Sequence, residues 1–183
     1  GLPTKGLETK ESSDRMKGKP GTTVIFKVKK VRTGDTLDIP VIRERIHFPD
    51  IEYAGMLDDT TGYILQSGFT ENVSGEMRQK ITELKAKGMK RLVLDLRGNG
   101  GGLMSEAINI VSLFVPKNSL IVSAKGNTPE ATREYRTATE PVDTKLPLIV
   151  MIDSGSASSS EIVAGALQDL DRATIMGKRS YGK

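Results

Sequence analysis

Serines cluster at a turn near the C-terminal end of the chain. Residues 148–152 form a continuous apolar run, which is typical of a strand that is buried on both faces. Residues 153–158, DSGSAS, follow as a turn that we call the serine turn, and apolar residues at helical spacing from Ile162 to Leu170 predict a helix after it. The N–H groups and the positive dipole end of that helix point toward the turn. A serine there is well placed for a nucleophilic attack that creates an oxyanion.

Composition restricts the base that could activate such a serine. The chain has no cysteine, and its one histidine, His47, lies far from the serine turn beside Arg45. We expect His47 to be a solvated loop residue rather than a metal ligand, because no second residue that could bind a metal stands at a useful spacing. Lysine also serves a serine as base once burial lowers its pKa from about 10.4 toward neutrality. Lys183 follows a short strand predicted at residues 173–176, so a strand–helix–strand unit could return it to the serine turn.

The serine turn also has a purely structural interpretation. Ser158 and Glu161 have the S-x-x-E spacing of a capping box, which satisfies backbone donors at the start of a helix and needs no catalysis. The turn alone leaves both interpretations open, and the two roles are compatible.

A second segment with chemical potential follows the apolar strand predicted at residues 91–96. Residues 97–102, RGNGGG, which we call the glycine loop, lead into a helix predicted at residues 104–114. A dinucleotide fingerprint would need glycine at position 103, where Leu103 stands, and the G-K-[ST] of a P-loop is absent. No acidic residue closes the next strand either. The spacing therefore argues against a nucleotide site.

Together the two segments resemble the C-terminal processing (tail-specific) proteases, a serine–lysine peptidase family. SGSASSSEIVAGALQD followed by GKRSYGK is similar to that family's active-site segment, and DLRGNGGG is similar to its D-L-R-x-N-x-G-G loop. The resemblance implies that Ser158 is the nucleophile and Lys183 the general base. It also implies an oxyanion hole made by the N–H groups of Gly102 and Ser159. No metal or cofactor is needed.

The resemblance assigns supporting roles to further residues. Asp169 would support the site, together with Asn99 in the glycine loop. We expect Asp95 and Arg97 to pair and hold that loop. The family usually has alanine at position 159, and because the donor there is the backbone, we expect Ser159 to change little.

The whole chain has the pattern of an α/β protein, because strands alternate with helices. The resemblance implies a crotonase-like (Clp-protease-like) domain over residues 49–183, with a mixed β-sheet and flanking helices. A short helix and a hairpin within residues 1–48 resemble the C-terminal half of a PDZ-like domain, although an ordinary edge hairpin would have the same pattern. The polar residues 126–145 either border a substrate groove or form a solvated excursion.

Composition excludes some classes of function. The net charge of the 183 residues is +4, and no basic run carries interleaved aromatics, so nucleic-acid binding is unsupported. No apolar stretch reaches transmembrane length, and no signal peptide is recognisable. Aromatic residues are scarce, which predicts an aliphatic core.

The function implied by the resemblance is peptide-bond cleavage in polypeptides with apolar C-terminal tails, in the bacterial periplasm or cell envelope. The family has a glutamine four residues beyond the lysine and a complete PDZ-like domain, whereas this sequence ends at Lys183 and has half such a domain. We therefore expect the 183-residue chain itself to have low activity. A catalytically silent binding or scaffold module of the same fold is the alternative, and an acyl-CoA enzyme is a third hypothesis. The sequence assigns no oligomeric state.

Overall fold

The computed structural model describes residues 6–44, 49–128 and 132–183. The chain divides into two compact units, Gly1–Phe48 and Pro49–Lys183. The assignment of the first unit to a PDZ-like domain stays a prediction. His47 lies outside the described residues.

The first unit contains one helix and one hairpin. α1 spans Thr9–Met16, β1 spans Thr23–Lys29 and β2 spans Thr36–Ile42. The two strands pair antiparallel, and the register places three apolar pairs on one face: Val24 with Val41, Phe26 with Ile39 and Val28 with Leu37. None of the described residues of this unit is buried.

A five-stranded mixed sheet forms the centre of the second unit. The elements of this unit are β3 Ile51–Met56, β4 Thr61–Gln66, α2 Val73–Ala86, β5 Arg91–Asp95, α3 Met104–Val111, β6 Leu120–Ala124, β7 Arg133–Arg136, β8 Leu148–Ile152, α4 Ser159–Asp169 and β9 Thr174–Gly177. The spatial order of the strands in the sheet is β3-β4-β5-β8-β9, in which only β3 and β4 pair antiparallel.

The core lies between one face of this sheet and the apolar faces of the three helices. Ile64, Leu94 and Val150 stand side by side on neighbouring strands and are fully buried. The helices contribute residues at helical spacing, such as Met77 and Ile81 of α2. Among the described residues the core is aliphatic apart from Phe69 and Phe114 and two methionines. Burial of these side chains fixes where each strand ends, and therefore where the connecting loops emerge.

Two segments differ from the predictions. The helix predicted to end at Phe114 ends at Val111, and the chain continues through Ser112 in tight turns. The polar excursion at residues 126–145 contains β7, which pairs antiparallel with β6 in a separate two-stranded sheet. Its polar residues gave no alternating pattern that would have revealed this strand. None of the described helices is long and apolar enough to cross a membrane.

We expect the backbone of the two units to differ in local stability. A two-stranded hairpin without buried residues is marginal, whereas β5 contains the buried residues Leu92 and Leu94. Hydrogen–deuterium exchange read by mass spectrometry should therefore replace the amides of residues 23–42 long before those of residues 91–95. Equal protection of the two segments would contradict this view of the first unit.

Candidate active site

The carboxyl ends of two neighbouring parallel strands bring the glycine loop and the serine turn together. β5 and β8 pair in register, with Asp95 opposite Met151. Both chains leave the sheet at the same edge, which is where α/β proteins build their sites. The glycine loop follows β5 and the serine turn follows β8, so segments more than fifty residues apart in sequence meet in space.

Four hydrogen bonds, which we call the seam, join the glycine loop to the serine turn and the first turn of α4. The seam consists of Gly98 N–H to Asp153 Oδ1 at 2.9 Å, Ala157 N–H to the Asn99 carbonyl at 3.0 Å, Ser160 Oγ to the same carbonyl at 2.9 Å, and Ser159 Oγ to the Gly102 carbonyl at 2.9 Å. A further bond lies just outside the glycine loop, where Ser156 Oγ of the serine turn donates to the Leu96 carbonyl at 2.7 Å.

Asn99 is the centre of this arrangement. It is fully buried, and its side chain donates to the Gln66 carbonyl at 2.8 Å and accepts from Gly101 N–H at 2.9 Å. Its own carbonyl oxygen accepts two bonds of the seam, from Ala157 and Ser160. One residue therefore connects β4, the glycine loop and the serine turn.

The glycine loop approaches the serine turn so closely that position 101 has no room for a side chain. A Cβ atom on Gly101 would lie 2.7 Å from the Ala157 carbonyl oxygen, 2.9 Å from Ser158 Cβ and 2.9 Å from Ser159 N. Its φ of 94° also falls in the region that favours glycine. The glycine at this position is thus required by backbone contact with the residues of the candidate nucleophile and oxyanion hole.

Ser158 has an unusual backbone conformation at the start of α4. Its φ of 56° and ψ of −114° are strained for a residue with a side chain. Such strain persists only where surrounding contacts impose it, and it is common in active sites. The Glu161 carboxylate accepts a hydrogen bond from Ser158 N–H at 2.9 Å, which is the return half of the predicted capping box.

Glu161 has a second function that the sequence pattern did not reveal. Its carboxylate also accepts bonds from Ser180 Oγ at 2.8 Å, Gly182 N–H at 2.7 Å and Lys183 N–H at 3.3 Å. One charged group therefore fixes both Ser158 and the segment that carries Lys183. Desolvation by itself would raise the pKa of Glu161, but these donors outweigh it and lower that pKa below its ordinary value. The S-x-x-E spacing indicated only the cap.

Ser158, Lys183 and Asp169 line one cavity of about 490 Å³. Its remaining wall includes apolar residues of β6 and α4, among them Ile121 and Ile162. The Lys183 side chain is exposed, and within the described residues its ammonium group has no hydrogen bond to Ser158. Asp169 is also exposed and forms no ion pair with Lys183 in that part of the chain. Catalytic hydrogen bonds often form only once substrate is bound, so the absence of these bonds does not argue against the predicted pair.

The two backbone groups expected to hold an oxyanion have no competing partner. Neither Gly102 N–H nor Ser159 N–H donates a hydrogen bond within the described ranges. Ser159 is the first residue of α4, where the N–H groups have no intrahelical acceptor. The two residues are held together by the Ser159 hydroxyl, a contact that the sequence analysis did not anticipate.

Asp95 and Arg97 form an ion pair beside the glycine loop. The buried Asp95 carboxylate accepts from Arg97 Nη2 at 2.6 Å, from Arg97 N–H at 3.0 Å and from the Tyr63 hydroxyl at 2.6 Å. Burial would raise the pKa of Asp95, but the hydrogen bonds from Arg97 and Tyr63 outweigh burial and lower it. The pair sets the direction in which the chain leaves β5. Tyr63 is a partner that the sequence did not indicate.

No group of three or more His, Cys, Asp or Glu side chains that could hold a metal ion occurs among residues 6–44, 49–128 and 132–183.

Comparison with known proteins places this arrangement in a family context. Residues 60–183 match the model of peptidase family S41. A carboxy-terminal-processing protease of Bartonella bacilliformis is 35% identical over 182 residues, 97% of this chain and 41% of that protein. A carboxyl-terminal-processing protease of Synechocystis sp. is 34% identical over 188 residues, 100% of this chain and 43% of that protein. The chain thus spans less than half the length of these curated relatives.

A solved structure shows the same architecture. The photosystem II D1 C-terminal processing protease superposes with a TM-score of 0.66 at 28% sequence identity, covering 100% of this chain and 50% of that protein. The superposition confirms the predicted α/β fold with a mixed sheet and flanking helices.

The close packing at position 101 predicts a sharp contrast between neighbouring glycines. Gly101→Ala should destabilise the chain by about 1–3 kcal/mol or more, because the backbone conformation is strained and the Cβ atom meets backbone atoms. Gly100→Ala is the matched control, since its Cβ atom would meet nothing within 4 Å. Chemical denaturation measures both variants. Equal stability of the two would show that the glycine loop does not lie against the serine turn.

The charge of Glu161 predicts a pH-dependent stabilisation. Because its pKa is lowered on folding, Glu161 stabilises the fold above its unfolded pKa of about 4.3, and this contribution is lost as the pH falls through the folded pKa. Glu161→Gln, which mimics the protonated acid, should lower the free energy of unfolding at pH 7 by about 1 kcal/mol. The difference should shrink as the pH falls through the lowered folded pKa of Glu161. If the difference in the free energy of unfolding between the two proteins stays constant with pH, the charge of Glu161 does not provide this stabilisation.

Proposed function

The chain belongs to peptidase family S41, which confirms the predicted resemblance, and on this premise we propose that it is the catalytic part of a serine endopeptidase of the carboxy-terminal-processing kind. Ser158 is the nucleophile, Lys183 the general base, and the N–H groups of Gly102 and Ser159 form the oxyanion hole. Asp169 borders the same cavity and assists Lys183.

The seam is the observation that carries this proposal. It holds two backbone donors that lack an acceptor among the described residues next to a strained serine, and it does so with hydrogen bonds from both the glycine loop and the serine turn. A helix cap alone needs Ser158 and Glu161, but it needs no glycine loop packed against them. A binding module would likewise need no pair of backbone donors left without an acceptor, within the described residues, near a candidate nucleophile.

The chemistry is acyl transfer in two steps. Ser158 Oγ attacks the carbonyl carbon of the scissile peptide bond while the neutral Lys183 amine accepts the hydroxyl proton, and Gly102 N–H and Ser159 N–H stabilise the resulting oxyanion. The C–N bond then breaks, and the Lys183 ammonium group protonates the leaving amine. Water attacks the acyl ester with Lys183 again as base, which releases the new carboxylate and regenerates Ser158. No cofactor takes part.

The cavity supports polypeptide substrates with apolar C-terminal tails. Its lining includes four apolar residues besides Ser158 and the charged groups of Glu161, Asp169 and Lys183, namely Ile121, Val122, Ile162 and Ala166. Its volume of about 490 Å³ accommodates a few side chains of an extended peptide. Small apolar side chains would therefore be bound next to the scissile bond by exclusion of water.

We also propose a cellular location and a role for the first unit. The relatives named above come from bacteria, and the resemblance places such proteases in the periplasm or cell envelope. The order α1-β1-β2 supports a PDZ-like assignment for residues 1–48. The exposed apolar face that includes Leu37 and Val41 is where further strands of such a domain would pack.

A serine-directed fluorophosphonate tests the catalytic assignment. Ser158 should displace fluoride from phosphorus and give a covalent adduct that mass spectrometry maps to the peptide containing Ser158. Ser158→Ala should abolish the adduct, and Lys183→Ala should slow its formation by roughly 10²–10⁴-fold, the usual contribution of a general base. Labelling is less demanding than turnover, so it suits the 183-residue chain.

A control separates loss of the base from loss of structure. Lys178→Ala removes a lysine of the same terminal segment that lies outside the cavity, and it should leave the labelling rate near that of the unsubstituted chain. If Lys183→Ala labels at Ser158 as fast as the unsubstituted chain does, the result would favour the binding or scaffold module instead.

A further inference from the structure

The Ser159 hydroxyl has no role in the chemistry proposed above, which uses only the backbone N–H of this residue. Ser159 is 1% exposed, and its Oγ donates to the Gly102 carbonyl oxygen at 2.9 Å. The bond is partly buried, because Ser159 is shielded from water whereas Gly102 is exposed. The bond directly connects the two residues whose N–H groups form the oxyanion hole.

The peptide group that follows Gly102 is held at both ends. Its carbonyl oxygen accepts from Ser159 Oγ, and its N–H, on Leu103, donates to the Phe69 carbonyl at 2.8 Å. The other three bonds of the seam attach to the glycine loop at Gly98 and Asn99, before the donor residue. Gly102 has no side chain to restrict its rotation. The hydroxyl of Ser159 therefore makes the bond of the seam that reaches the donor residue itself, through its carbonyl oxygen.

We propose that the Ser159 hydroxyl is a positioning group that fixes the Gly102 and Ser159 N–H groups in one arrangement before substrate binds. Donors that are already oriented stabilise a transition state without reorganising during the reaction. Alanine at this position would keep the backbone donor and lose the connection. This inference rests on the proposed function, and it concerns the rate of attack rather than the affinity for substrate.

Ser159→Ala in the 183-residue chain tests the inference with the same fluorophosphonate. The first-order rate of adduct formation at saturating probe should fall about tenfold, less than the 10²–10³-fold typical for loss of a whole oxyanion donor. The probe concentration at half-saturation should not change, because Ser159 is not among the residues that line the cavity. Ser159→Thr keeps a hydroxyl and should retain most of the rate.

Ser112→Ala is a matched control for stability. Ser112 is equally buried, and its Oγ donates to the Ile108 carbonyl at 2.7 Å at the C-terminal end of α3, away from the candidate active site. Both variants remove the hydroxyl of a buried serine and one partly buried hydroxyl–carbonyl bond, so they should lose similar stability, but only Ser159→Ala should lose labelling rate. A rate that falls equally in both variants would reduce Ser159 to a structural residue and overturn the inference.

Exchange of single amides gives a readout that needs no reaction. Measured by NMR, the amide of Leu103 should exchange faster in Ser159→Ala than in the unsubstituted chain, whereas Ser112→Ala should not change it. Unchanged exchange, or an unchanged labelling rate in Ser159→Ala, overturns the positioning role alone. If the unsubstituted chain forms no adduct at Ser158, the proposed function fails and the positioning role fails with it.

Discussion

The candidate active site depends on the seam between the glycine loop and the first turn of α4. Each partner is unremarkable alone, since glycine loops and capped helices are common. Their contact supplies what neither has alone: two backbone donors that have no acceptor in the described part of the chain, beside a serine with a strained backbone. Because the core fixes the ends of β5 and β8, the energy that holds this arrangement comes from burial elsewhere in the second unit.

Charged groups reinforce the seam from two sides. On one side, Asp95 is held in its ionised form by Arg97 and Tyr63, and it directs the chain as it leaves β5. On the other, Glu161 connects Ser158 to the segment that ends in Lys183. Both carboxylates have lowered pKa values despite desolvation, so both contribute most to stability at neutral pH. A site that is assembled by carboxylates in this way is expected to loosen in acid.

The serine at position 159 illustrates how a conservative difference can matter. The resemblance indicated a backbone donor, for which the side chain is irrelevant. In the structure the Ser159 hydroxyl donates a hydrogen bond to the carbonyl oxygen of Gly102, the other residue of the expected oxyanion hole. An alanine could not make this bond. The same hydroxyl would have been invisible without the fold, because Gly102 lies 57 residues earlier in the sequence.

The sequence by itself determined the elements and the chemistry that they carry. Apolar runs and helical spacing located the strands and helices of the second unit, and the two motifs around Gly102 and Ser158 identified the family, since these signals are set by neighbouring residues. Tertiary structure decided the connections between these elements. They are the pairing of β7 with β6, the hydrogen bonds of Glu161 to the segment that carries Lys183, the hydrogen bonds around Asn99 and the bond from Ser159 to Gly102. Each of these depends on residues far apart in the chain, such as the 61 positions between Asn99 and Ser160, and only packing of the core determines which of them meet.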